Sequence, residues 1–317
     1  MKNIFQTLLI ALLLSTLHPQ LATCFAQGAL TPPGAPAPTM KSLAQIEPRK
    51  PISALPFNLT VSGSYYLTAN LTGTGGITIN SSDVTVDLGG FTITGGALTG
   101  DGITLNGGLK NIVIRNGTIR GWSGNGVTSI SSSARNLVFA HLNISDSGGM
   151  GISAINAVIT DCNISGSGSQ GINATACTIG NCLVDGSNNQ GVSLFSGTVS
   201  HCVIQSSGLE GLVLTGPGCV INDNLIKSNN VANGAFNAGL YIDSANNRIE
   251  NNQLIGNGAA GYGITFNNSP TGNLVIKNFV SGNGAKNYGI SAPIIFGPII
   301  TATGSIASTS PWANFSY

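Results

Sequence analysis

Charge is the scarcest property of this chain. Lys, Arg, Asp and Glu make up 7% of its 317 residues, and the formal net charge is +1. A nucleic-acid partner needs a basic field that displaces counterions, so this composition excludes one. Low charge also marks membrane spans, yet past residue 30 the apolar residues come in pairs and triplets. No run approaches the roughly 18 residues that cross a bilayer, and no transmembrane helix is expected. Zinc-type cysteine spacing is missing, as are a P-loop, an H-E-x-x-H helix and the calcium-binding nonapeptide. "GSGSQG" (Gly166 to Gly171) and "GNGAAG" (Gly256 to Gly261) match G-x-G-x-x-G, but no helical pattern follows either, so both read as turns. The expectation is no cofactor and no metal.

What the chain does have is glycine, 44 residues of it, with enough β-branched residues to bury a core. Near the start, Lys2 precedes the apolar run Leu8 to Leu17, and "CFAQ" sets Cys24 and Ala26 at a small-x-small cleavage site. Residues 1–26 therefore read as a signal peptide, which places the mature protein outside the cytoplasm: secreted, periplasmic or at the cell surface. The rival reading of "LATC" as a lipoprotein box, with lipid on Cys24, is weakened by Thr23 just before the cysteine. Cleavage leaves five cysteines in an oxidising compartment, and five cannot all pair. Residues 27–56, Pro/Ala-rich at "GALTPPGAPAPT", read as a linker. Residues 57–74 read as an N-terminal cap, 75–292 as a repeat domain, and 293–317 as a C-terminal cap carrying Trp312, Phe315 and Tyr317.

The repeat is a Gly followed by an apolar residue, at Gly76, Gly102, Gly126, Gly151, Gly171, Gly191, Gly211, Gly239, Gly263 and Gly289. The spacings are 26, 24, 25, 20, 20, 20, 28, 24 and 26. Each unit holds three runs of about four residues with period-2 apolarity, separated by Gly, Asn and Ser turns, and none has the length or period of a helix. One unit has no core of its own, but stacked copies align equivalent side chains into one. The fold expected is all-β, a parallel solenoid of about ten three-strand coils, on the order of 45 Å long at strand spacing.

Stacking turns sequence offsets into vertical files. Cys162, Cys182 and Cys202 fall in one file at the corner between the second and third strands. The same file holds Gly117 and Leu142 on one side of them and Asn224, Asn252 and Asn278 on the other. An asparagine there bonds turn backbone and its own copy in the next coil, and a cysteine fills the slot as a small hydrophobe. A disulfide between neighbouring coils is the competing reading, since the Cα separation lies in the allowed range. The residue before each file member gives His141, Asp161, Asn181, His201, Asp223, Asn251 and Lys277. His and Asp in one file suggest metal binding or proton relay, but turn conformation accounts for the same residue types.

The Gly-Ile starts and the asparagine file, as in "NRIENNQLIGNG" (Asn247 to Gly258), resemble the right-handed parallel β-helix family, the pectin-lyase-like fold in its short-repeat form. The resemblance covers roughly Gly75 to Ala292 and implies fold more than activity. In the lyases and polygalacturonases of that family, substrate lies on the outer face of the first strand and its turns. The resemblance implies clustered carboxylates or a basic proton acceptor there. In this chain the outward file two residues after the Gly carries no charge, and the next one carries a single Asp.

One patch departs from this. Glu210, Tyr241, Asp243, Tyr262 and Tyr288 fall beside one another on successive coils, next to the longest turn, "SNNVANGAFNA". Aromatic rings beside carboxylates suit sugars, with faces to stack on and acceptors for hydroxyls; the plainer reading is that edge tyrosines cover the core. The expected function is polysaccharide binding or a structural surface role. The alternatives are a polysaccharide lyase or epimerase working near Glu210 and Asp243, and a self-associating adhesin or fibre module.

Overall fold

Among the described residues from Arg49 to Tyr317, which belong to one unit, successive coils pair in parallel register. The computed structural model describes residues 46–233, 237–267, 270–290, 294–301, 304 and 308–317. The expected signal peptide, Cys24 and most of the expected linker lie outside the described residues. The first-strand file runs Phe57, Ile77, Ile103, Val127, Ile152, Ile172, Val192, Leu212, Leu240, Ile264 and Tyr288. That makes about 11 turns. The extra turn comes from residues 57–74: Phe57–Leu59, Gly63–Leu67 and Leu71–Thr72 make a complete coil, paired below to Ile77–Ile79, Val84–Asp87 and Thr92–Thr94. A further strand, Lys50–Ile52, pairs with Gly63–Leu67, so stacking starts inside the segment expected as linker.

Period-2 alternation sends one apolar residue of each strand inward. Ile77, Ile103, Val127, Ile152, Ile172, Val192 and Leu212 are at most 1% exposed, as are Ile159, Ile179, Val199 and Ile221 on the second strand. The corners that connect strands need a left-handed backbone. His141, Asp161, Asn181, His201, Asp223, Asn251 and Lys277 all have φ between 52° and 58°. Asn and Asp reach that region at low cost, so turn conformation explains this file. Only His201 and Asp223 approach each other, at 4.0 Å, with both side chains in solvent.

The corner behind it carries the expected ladder and extends it. Asn252 Nδ2 donates to Ile221 O (2.9 Å), Glu250 O (3.0 Å) and Asn278 Oδ1 (3.0 Å), while its Oδ1 accepts from Asn224 N (3.1 Å) and Nδ2 (2.9 Å). Asn314 closes the file, accepting from Asn278 N at 2.9 Å. The cysteines copy this scheme with one sulfur. Cys182 Sγ donates to Gly180 O (3.2 Å) and lies 3.7 Å from Ile159 O, the same two relative positions that Asn252 Nδ2 uses, and Cys202 Sγ accepts from Cys182 N at 3.5 Å. All five described cysteines are free. In-register stacking sets Cβ atoms of one file about 4.8 Å apart, beyond the roughly 3.5–4.5 Å a disulfide spans.

Two more asparagine ladders are present that the repeat pattern did not bring out. Asn229, Asn257 and Asn283 line the corner after the third strand, and Asn247 and Asn273 the corner before the second. Nearer the N-terminus the first of these files holds Ser147, Ser167, Ser187 and Ser207, all at most 2% exposed and without a hydroxyl partner.

Candidate sugar-binding face

Three outward files make the outer face of the first sheet. The file before each Gly runs Gln170, Gln190, Glu210, Ala238, Tyr262 and Lys286; the file two after runs Asn173, Ser193, Val213, Tyr241, Thr265 and Gly289. The file four after includes Thr175, Phe195, Asp243 and Asn267. Strand alternation turns these side chains away from the core. Ser291, expected at the foot of the middle file, lies outside the described residues, as do residues 234–236 of the long turn.

Four of the five predicted site residues share this face. Burial pushes the Tyr241 phenol up, and the carboxylates of Asp243 and Glu210 add to the shift. Glu210 accepts from Gln190 Nε2 at 3.1 Å, and Asp243 Oδ1 accepts from Asn267 Nδ2 at 2.8 Å. Tyr262 lies one coil further on, with its ring over the backbone of Gly289: a Cβ added at Gly289 would stand 2.7 Å from Tyr262 Cδ1. Phe195, 50% exposed, lies over Gly216 in the same way, at 2.7 Å from the corresponding Cβ position. A bulge between Leu194 and Phe195 brings it there by pairing Phe195 with Gly216 rather than Thr215.

Tyr288 does not join them. It pairs with Ile264, so its side chain turns inward and packs against the core. Its hydroxyl donates to Asn278 O (3.0 Å) and Phe315 O (3.2 Å), and burial pushes its pKa up. The last coil has slipped by two residues: Gly263 stands against Asn287, and Gly289 falls opposite Thr265. The polar bonds of Asn287, from its Nδ2 to Ser316 Oγ and Tyr317 O, anchor the slipped register to the C-terminal strand. Gln190, Asn267, Phe195 and Lys286 belong to the face without having been singled out by sequence. Their signal is the same vertical offset that identified Tyr241.

Chemically the face offers three flat rings (Phe195, Tyr241 and Tyr262), two carboxylates, one amine at its end and several amides and hydroxyls. Among the described residues no three or more His, Cys, Asp and Glu side chains cluster as a metal centre would. No helix among them is long and apolar enough to cross a membrane.

The family described as "Right handed beta helix region" matches residues 153–294. The chain is a right-handed β-helix. Among solved structures, this β-helix is similar to the A-module of the mannuronan C-5 epimerase AlgE6 of Azotobacter vinelandii, at 16% identity and TM-score 0.50, covering 81% of this chain and 91% of the other. An alginate lyase from Paenibacillus follows at 15% and 0.45, covering 68% and 87%. An exopolygalacturonase from Thermotoga maritima stands at 15% and 0.43, covering 70% and 73%. At such identity the likeness is one of fold. Comparison with curated protein sequences finds no match.

Proposed function

We propose that this β-helix is a secreted or cell-surface polysaccharide-binding protein whose sugar surface is the outer face of the first sheet around Glu210, Tyr241, Asp243 and Tyr262. The observation that carries the reading is the half-buried pair Tyr241 and Tyr262 beside Glu210 and Asp243, on a face that also presents amides and hydroxyls. Aromatic rings stack on the apolar faces of sugars, and the carboxylates and amides meet hydroxyls. The chemistry of the face supports binding over turnover. A phenol raised by burial and two carboxylates donates a hydrogen bond near neutral pH and is a poor proton acceptor.

The test is affinity electrophoresis through polysaccharide-containing gels. Replacing Tyr241→Ala with Tyr262→Ala removes both rings, worth roughly 1–3 kcal/mol together, and weakens retention roughly 5- to 150-fold. Unchanged retention of the double variant, or release of reducing ends that ceases on Asp243→Asn, refutes the binding reading.

A further inference from the structure

The charge on the proposed face selects among polysaccharides. We infer that its ligand is a neutral glycan rather than a polyuronate, an inference that rests on the binding reading above. Glu210 and Asp243 stand in the files on either side of Tyr241, and both raise that phenol's hold on its proton. Among the described residues neither has a cation as an ion-pair partner: Glu210 accepts from the Gln190 amide and Asp243 from the Asn267 amide. Amide donors hold a carboxylate in place without cancelling its charge.

One basic residue shares the face, at its C-terminal end. Among the described members of the three files, Lys286 alone is basic, and it stands at the end coil opposite Tyr262. Arg115, Arg248 and Lys277 are already paired to carboxylates on other faces, with Asp87 and Glu250. The face therefore carries a net negative field over the coils from Gln170 to Tyr262. A polyuronate brings one more carboxylate per sugar and would meet like charge beside Glu210 and Asp243. A neutral chain meets only donors, acceptors and rings. Coulomb repulsion between exposed charges is screened over about 10 Å at 0.1 M salt, so the discrimination is largest at low ionic strength.

The experiment runs the whole chain through gels containing a neutral glucomannan, or alginate or polygalacturonate, at about 10 mM and about 0.2 M ionic strength. The expected result is retention by the neutral polymer that hardly changes with salt. Retention by either polyuronate is expected to be about tenfold weaker or more at low salt, and to rise when Glu210→Gln is combined with Asp243→Asn. Polyuronate retention equal to or above neutral retention, abolished by Tyr241→Ala with Tyr262→Ala, overturns this inference while the binding face stands. Retention of no polymer of either kind overturns the binding reading and this inference with it.

Discussion

Asn252 is the residue whose loss tests the ladder most directly. It is fully buried, and its side chain donates three hydrogen bonds and accepts two. Asn252→Ala leaves the Asn224 backbone N–H, inside the stack, without its acceptor. A buried orphan of that kind costs about 1–3 kcal/mol, and each net hydrogen bond lost costs about 0.5–1.5 more. With partial relaxation the total is roughly 3–5 kcal/mol. Asn252→Cys is the informative partner variant. A thiol at this corner accepts from the neighbouring N–H and donates its one proton to a nearby carbonyl, as Cys202 and Cys182 do, so the loss falls to roughly 1–2 kcal/mol. Urea unfolding with an unchanged slope measures the difference. Because coils of a solenoid interact with nearest neighbours, faster exchange of the Asn224 amide in the alanine variant reports it locally. Alanine and cysteine variants equal within about 0.5 kcal/mol would refute the claim that the thiol file substitutes for the asparagine ladder.

The reverse replacement, Cys182→Asn, is expected to fold and to leave the unfolding midpoint unchanged or raised, read by the same urea titration. Gly197→Ala is expected to cost roughly 2–4 kcal/mol, since Gly197 has φ 125° and a Cβ there would clash with Cys177 O. Glu250 is held below the usual carboxylate range by Lys277 first and Arg248 second. The unfolded chain binds more protons in that window, so this stability is present above the ordinary Glu pKa and is lost as pH falls through the lowered one. Lys277→Ala should therefore flatten the acid limb of a pH–stability curve. Burial pushes the Cys177 and Cys219 thiols up, Cys219 to about 11, so iodoacetamide at pH 8 should label neither until the chain is unfolded.

The stacked architecture could be read from residue types alone, because a period of 20 to 28 residues with Gly at the same phase gives each unit strands too short to fold singly. The order of the files followed from counting, and the corner asparagines and their cysteine substitutes fell where the offsets placed them. The same counting failed where the count itself changes. The Phe57 coil lacks the Gly-apolar start and so looked like a cap, although its strands pair like any other. At the far end Gly289 carried the signature, but the stack set Asn287 against Gly263 and turned Tyr288 into the core. Register there is decided by which residues satisfy the terminal strand, a contact with Ser316 and Tyr317 that no local pattern encodes. The bulge that lays Phe195 over Gly216 is likewise a property of two coils fitting together. Periodicity determined what stacks; only the packed ends and irregular coils decided which rings face water, because a shift of one or two residues costs little locally and reverses or displaces every side chain that follows.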